Sequence, residues 1–245
     1  MSLSWLEPEW PAPAGVRALS TFRGGGVSPA PYVSCNLGDH VGDSPEAVAQ
    51  NRRRLKAAAG LPAEPAWLRQ VHGTNVADLD AAADRGPSDA AFTRQRGRVC
   101  AILTADCLPL VLAADSGDLV AAAHAGWRGL AGGVIEATVK ALQVAPEELM
   151  AWLGPAIGPG HFEVGAEVRQ AFVKGDLGAE TAFVPNARGR FMADLSRLAR
   201  RRLAALGVSR IYGGGQCTYA DGERYFSHRR DGVTGRQATL IWLAP

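Results

Sequence analysis

The 245 residues contain no apolar run near the roughly 18 that a membrane span needs. The opening MSLSWLEPEW has neither the basic stretch nor the apolar stretch of a secretory signal. A cytoplasmic location is the expectation that follows. An excess of one charge is lacking too. Lys+Arg 26 against Asp+Glu 24 leaves +2, too little to hold nucleic acid or an anionic membrane by bulk field. The nearest basic runs, Arg52-Arg53-Arg54 and Arg200-Arg201-Arg202, fall in helix-like segments and read as solvated helix faces. Cysteine is scarce. Cys35, Cys100, Cys107 and Cys217 form no CxxC pair and lie too far apart for a disulfide framework in a chain of this length. They read as buried thiols, with room for one that does chemistry. Standard site motifs are missing as well: there is no GxxxxGK[ST], no GxSxG and no HExxH. Gly154–Gly160 and Gly213–Gly215 lack the GxGxxG spacing of a strand–helix unit. Common nucleotide-cofactor enzymes and serine hydrolases are therefore disfavoured.

What is present is an ordinary globular composition, 47% hydrophobic, 20% charged and 7% aromatic, long enough to bury a sizeable core. Ser44-Pro45 opens a helix that runs to Gly60, with Ser as cap and Pro at the first helical position. Leu130, Val134, Thr138 and Leu142 mark a second, amphipathic helix. A third covers Gly165 to Val173, and a fourth runs from Asp194 to Leu206 and stops at Gly207. Strands are expected at Val99–Leu103, Leu108–Ala113, Leu119–Ala123, Ala151–Leu153, Arg210–Tyr212 and Ala238–Leu243, with a further extended piece around Leu68–Val76. Several are continuous apolar runs, which suits strands buried on both faces. Strands and helices mixed over the whole length indicate an α/β or α+β chain. With no repeat, low-complexity tract or linker, one domain over residues 1–245 is the expectation.

Three segments concentrate candidate chemistry: Arg69-Gln70-Val71-His72-Gly73, Thr104-Ala105-Asp106-Cys107-Leu108-Pro109 and Ala123-His124-Ala125-Gly126-Trp127-Arg128-Gly129. Each sets a His or Cys where an apolar run meets a Gly, Pro or Asp turn, the place where sheet proteins put chemistry. The separations, 107 − 72 = 35 and 124 − 107 = 17, are not those of a zinc finger. They suit three segments converging on one ion. One Cys and two His form a known catalytic zinc set with a fourth position open, and copper accepts the same ligands. Singly, a His here is more often a structural core imidazole and a Cys an inert buried thiol.

RQVHG, TADCLPLVL and AAAHAGWRGL closely resemble the YfiH-like family, formerly named multicopper polyphenol oxidases of laccase type and now associated with purine nucleoside phosphorylase activity. The resemblance extends through Arg23-Gly24-Gly25-Gly26-Val27-Ser28, Asn36-Leu37-Gly38, Ser88-Asp89-Ala90 and Gly154-Pro155-Ala156-Ile157-Gly158. It continues to Cys217-Thr218, Phe226–Asp231 and Thr234-Gly235-Arg236, nearly the whole chain. It implies a layered α-β-β-α arrangement with mixed sheets flanked by helices, and one zinc held by His72, Cys107 and His124. The implied reactions are phosphorolysis of adenosine, inosine, guanosine or methylthioadenosine to base and ribose-1-phosphate, and hydrolytic deamination of adenosine.

Against that chemistry, Cys107, His72, His124 and Arg23 are the candidate catalytic residues. Arg23, beside three glycines, is the first candidate for an anion contact. Asn36 is a candidate for the sugar or base. Asp106 is either a general base or a residue that orients a ligand; strand alternation favours the second. Arg128, Arg229 and Arg230 are further anion candidates, while Trp127 reads as packing. Two other readings stay open. One is a cysteine-centred amidase editing cell-wall precursors, with Cys107 as nucleophile and His124 or His72 as base. The other is copper-dependent phenol oxidation, ranked last because only one Cys and two His converge by motif. The expected partners are purine nucleosides and phosphate, with no nucleic acid, membrane or obligate protein partner.

Overall fold

In the computed structural model, which describes residues 2–81 and 86–245, the continuous apolar runs fold as strands buried on both faces. The strands in chain order are β1 (Trp5–Leu6), β2 (Val16–Thr21), β3 (Ala66–Trp67), β4 (Val76–Asp78), β5 (Ala90–Thr93), β6 (Val99–Thr104) and β7 (Leu108–Ala114). They continue as β8 (Val120–Ala125), β9 (Leu149–Leu153), β10 (Glu163–Val164), β11 (Phe183–Pro185), β12 (Phe191–Ala193), β13 (Arg210–Gly213) and β14 (Gln237–Leu243). The helices are α1 (Pro45–Ala58), α2 (Trp127–Gly132), α3 (Val134–Leu142), α4 (Ala166–Val173), α5 (Leu195–Ala205) and α6 (His228–Asp231).

A five-stranded sheet has the order β1-β2-β14-β6-β3, and a six-stranded sheet the order β13-β9-β7-β8-β5-β4. Both mix parallel and antiparallel neighbours. Period-two alternation builds the layers. Cys100, Ile102, Ile241 and Leu243 of the first sheet meet Val111, Ala113, Val120 and Ala122 of the second in a core between the sheets. The opposite residues of the first sheet, Ala101, Leu103, Leu240 and Trp242, pack with Leu55 of α1. Leu110, Leu112, Ala121 and Ala123 of the second pack with Leu130, Ile135, Val168 and Leu198 of α2 to α5. The result is the expected α-β-β-α layering. A small ribbon, β10-β12-β11, stands apart from the two sheets.

Cap chemistry explains the helix ends. Ser44 accepts the Ala47 amide at 3.3 Å and Pro45 begins α1. Asp194 accepts the Arg197 amide at 2.9 Å and begins α5. The stripe Leu130–Leu142 is a correction: it forms two helices, because Gly133 takes φ +100° and breaks the ladder. The extended piece expected around Leu68–Val76 is a loop between β3 and β4. Strands β1, β2, β3, β5, β10, β11 and β12 lie outside the expected set. The arginine runs are not simply solvated. Arg52 donates to the Leu37 carbonyl at 2.8 Å and lies over the Trp67 ring, Arg200 ties Ile211 and Gly213, and Arg202 pairs with Glu136. Among the described residues no helix is long and apolar enough to cross a membrane.

Candidate metal centre

Asp89 immediately precedes β5, which pairs with β8 so that Ala90 faces Ala123. Asp89 therefore lies across from His124. The His124 amide donates to the Asp89 carbonyl at 2.6 Å, and His124 Nδ1 bonds Asp89 Oδ1 at 2.8 Å. The same carboxylate accepts the amides of Val71 (3.1 Å), His72 (2.9 Å) and Gly73 (2.7 Å). His72 adopts a left-handed φ of +59° as these three amides converge. One fully buried carboxylate thus fixes both the His124 ring and the loop that carries His72. Gln70 ties that loop to the end of β6, donating to the Leu103 carbonyl at 2.9 Å and accepting its amide at 2.8 Å.

From β6 in one sheet the chain turns through Ala105 and Asp106 (φ +89°) into β7 of the other, and delivers Cys107 at that turn. The donor atoms of His72, Cys107 and His124 all lie within 4.8 Å of one another, the one such group of three among the described residues. Cys107 Sγ is 3.8 Å from His72 Nε2, and the two imidazoles meet edge-on at 4.7 Å. His124 is buried, Cys107 half-buried and His72 exposed, which leaves one side open.

In the metal-free site the electrostatics favour a Cys107 thiolate beside a protonated His124, which a metal would have to deprotonate in order to bind. Burial pushes the Asp89 carboxyl up, but the bonds from His124, Gly73 and Val71 outweigh it and hold it below its ordinary value. Burial also pushes the Cys107 thiol up, yet the His124 charge and hydrogen bonds from both imidazoles bring it down to about 6. Burial lowers His124, while the Cys107 charge and Asp89 carry it up to about 9. The donor set fits a metal. A soft thiolate and two imidazoles at these spacings can close on one ion at about 2.0–2.3 Å, and Asp89 supplies the carboxylate that such a histidine ligand needs behind it. His40, His161 and His228 lie outside this group.

The glycines of the HAGWRG segment are there for space. A Cβ on Gly126 would stand 2.9 Å from Cys107 Sγ and 3.0 Å from His72 Cδ2. One on Gly129 would stand 2.9 Å from the Gly73 carbonyl, because α2 lies directly on the His72 loop. Trp127 packs on the core beneath, and the exposed Arg128 lies over its ring at 4.5 Å.

Other expected residues fall elsewhere. Buried Asp106 turns to the C-terminal segment, accepting Thr218 Oγ1 at 2.7 Å and the Arg229 amide at 2.6 Å. It anchors the Cys107 turn. Arg229 and Arg230 are tied to the carbonyls of Glu163, and of Thr218, Tyr219 and Tyr225. Arg23 donates to Val33 and Gly222 carbonyls at 3.1 and 3.0 Å and stands 3.8 Å from Asp231. It lines a cleft with Gly24–Gly26, Ser34 and Arg54 that contains none of the three donor residues. Asn36 is fully buried. Its amide donates to Gly38 O and Asp43 Oδ2 and accepts from the amides of Gly38 and Arg236, so the chain takes all four positions and the structure gives it a turn-stabilising contact.

Two residues were not singled out for the site by sequence reasoning. Asp89 is one; it is marked only by its place before a short apolar strand and by the Ser88-Asp89-Ala90 stretch of the resemblance, neither of which assigns it a role. The other is Arg236, half-buried, lowered by its burial and held up by the charges of Cys107 and Asp106. Its one mark in the sequence is the Thr234-Gly235-Arg236 stretch of the resemblance, which assigns it no role.

A family model described as multi-copper polyphenol oxidoreductase laccase matches residues 17–244. Purine nucleoside phosphorylase PA4543 of Pseudomonas aeruginosa is 56% identical over 246 residues, 98% of each chain. Purine nucleoside phosphorylase YfiH of Escherichia coli is 52% identical over 241 residues, covering 97% of this chain and 98% of its own. Among solved structures, Neisseria meningitidis NMB0706 matches with TM-score 0.94 and 49% identity over 98% of this chain and 99% of that one. YlmD from Geobacillus stearothermophilus matches with TM-score 0.91 and 34% identity over 98% and 96%.

Proposed function

The chain belongs to the family of the multi-copper polyphenol oxidoreductase laccase model, which includes YfiH, and from that membership we propose that it is a zinc-dependent purine nucleoside phosphorylase. Its substrates are phosphate and adenosine, inosine, guanosine or methylthioadenosine, its products the base and the sugar 1-phosphate, and the same site deaminates adenosine. One observation carries the reading: the open His72–Cys107–His124 group occurs in a chain whose relatives, matched almost end to end, are named for this activity. Held by His72, Cys107 and His124, the ion would supply Lewis-acid chemistry.

The chain's own residues do the rest. Asp89 bonds Nδ1 of His124, so Nε2 is turned to the centre. Arg236 uses Nη1 on the carbonyls of Thr234 and Gly235, and its guanidinium, which feels the Cys107 charge, keeps donors suited to phosphate oxygens. Cleavage of the glycosidic bond leaves positive charge on the sugar, which an anion held there stabilises. Arg23 is the weaker anion contact of the two, since its cleft holds no donor residue. The test is product analysis by mass with zinc-loaded protein and Cys107→Ala. Adenine and ribose-1-phosphate only with phosphate, or inosine without it, both lost in the variant, support the reading; no product from wild type overturns it for adenosine.

A second reading has its own observation. Cys107, His124 and Asp89 line up as thiolate, imidazolium and carboxylate, the order of a cysteine nucleophile with an oriented base. A cysteine-centred amidase acting on cell-wall precursors fits that order. It requires turnover by metal-free protein and its loss on alkylation of Cys107, whereas a zinc-bound thiolate alkylates slowly. Copper-dependent oxidation has no comparable support, the described residues holding one three-donor group.

A further inference from the structure

Cys217 and His161 form a second sulfur–imidazole pair that the proposed function does not use. Cys217 Sγ lies 3.6 Å from His161 Nδ1. It also accepts two backbone amides, Gly158 N at 3.2 Å and Ala220 N at 3.4 Å. Tyr219 stacks on the His161 ring at 4.5 Å and holds its plane. The sulfur is half-buried and the imidazole exposed. Cys35 and Cys100 differ sharply: both are fully buried, and burial pushes the Cys35 thiol up to about 12. Two amides and an imidazole thus face this sulfur, with the imidazole placed to exchange a proton with it, and partial exposure gives a small reagent access. Gly158 leaves space on the sulfur: a Cβ there would stand 3.1 Å from Sγ.

We propose that Cys217, with His161, is a modification site for hydroperoxides. His161 takes the thiol proton at Nδ1. The sulfur attacks the nearer peroxide oxygen; the S–O bond forms as the O–O bond breaks. The leaving alkoxide or hydroxide receives the proton from His161. Sulfur is oxidised by two electrons to the sulfenic acid, and the hydroperoxide is reduced to alcohol or water. The new oxygen occupies the space beside Gly158.

The test treats metal-loaded protein with hydrogen peroxide in the presence of a carbon nucleophile that traps sulfenic acids, and locates the adduct by peptide mass. The expected result is an adduct on Cys217, formed about tenfold more slowly in His161→Ala and several-fold more slowly in Gly158→Ala. His161 is exposed, so its variant keeps the fold. Cys217→Ser should give no adduct at that peptide. An adduct confined to other cysteines, no adduct at all, or equal rates in wild type and His161→Ala each overturns the proposal. None of these outcomes depends on whether the chain cleaves nucleosides.

Discussion

Asp89 and Asn36 are both buried without exposure, and both gather hydrogen bonds from distant parts of the chain. Asn36 joins Gly38, Asp43 and Arg236. Asp89 joins three amides of the His72 loop to the His124 ring. The two differ in what their partners carry. A neutral amide with four satisfied positions fixes the shape of a turn and stops there. A carboxylate brings a full charge, tolerable when buried because every partner donates to it. The Cys107 charge and, after it, the bond and charge of this carboxylate raise His124, and His124 in turn lowers Cys107. One hub shapes the fold; the other shapes the fold and sets the chemistry of the residues it holds.

Removing each hub separates those roles. Asp89→Ala leaves three amides and the His124 ring without an acceptor. A loss of about 3–5 kcal/mol is expected, read by denaturant unfolding, together with loss of bound metal. Asp89→Asn keeps the volume and removes the charge, and metal affinity should fall about 10–100-fold with the fold retained. Unchanged affinity in Asp89→Asn would erase the distinction between the hubs. Asn36→Ala is expected to cost about 2–3 kcal/mol, with metal content and Cys107 reactivity as in wild type. A change in Cys107 reactivity would show that the amide hub also reaches the centre.

How much of this the sequence discloses follows the same divide. His72, Cys107 and His124 are legible as candidates because each sits where an apolar run ends in a turn, but their union on one ion and the four-layer arrangement are legible only through the family resemblance; the apolar runs by themselves disclose buried strands, not their order. The role of Asp89 is not legible, because most of its partners are main-chain amides, which carry no residue signature. Asn36 suited a ligand contact and a turn equally by residue type, and only its burial decides. Arg236 is brought within reach of the Cys107 charge by the pairing of β14 with β6, across more than a hundred residues of sequence. Gly133 sits within a helical stripe, and only its left-handed conformation shows where the helix breaks.

Space gives a smaller contrast. Gly126→Ala puts a methyl against Cys107 Sγ and His72 Cδ2, at 2.9 and 3.0 Å. At the other hub, Gly38→Ala meets Arg236 Cγ at 2.8 Å, part of a flexible side chain. Metal affinity should drop about tenfold in the first, because overpacking displaces two donors at once, and change little in the second. Metal titration of the two variants side by side reads the difference. Equal losses would mean that Arg236 transmits crowding into the centre as strongly as direct contact does.

The mildest effect is the pH response of metal-free protein, which belongs to the charged hub alone. The folded Cys107 value, about 6, lies below its ordinary 9, so its contribution to stability is present at high pH and lost as pH falls through about 6. The folded His124 value, about 9, lies above its ordinary 6.5, so its contribution is present at low pH and lost as pH rises through about 9. Each shift depends on the other group being charged, so the pair contributes between about 6 and 9 and weakens on both sides. Unfolding midpoints taken across this range should therefore show a shallow maximum in wild type that flattens in Cys107→Ser and persists in Asn36→Ala. Alkylation of Cys107 in the metal-free chain should rise around pH 6 instead of 9. A midpoint near 9 would mean that the imidazolium does not hold the thiolate, and the charged hub would then differ from the neutral one only in its shape.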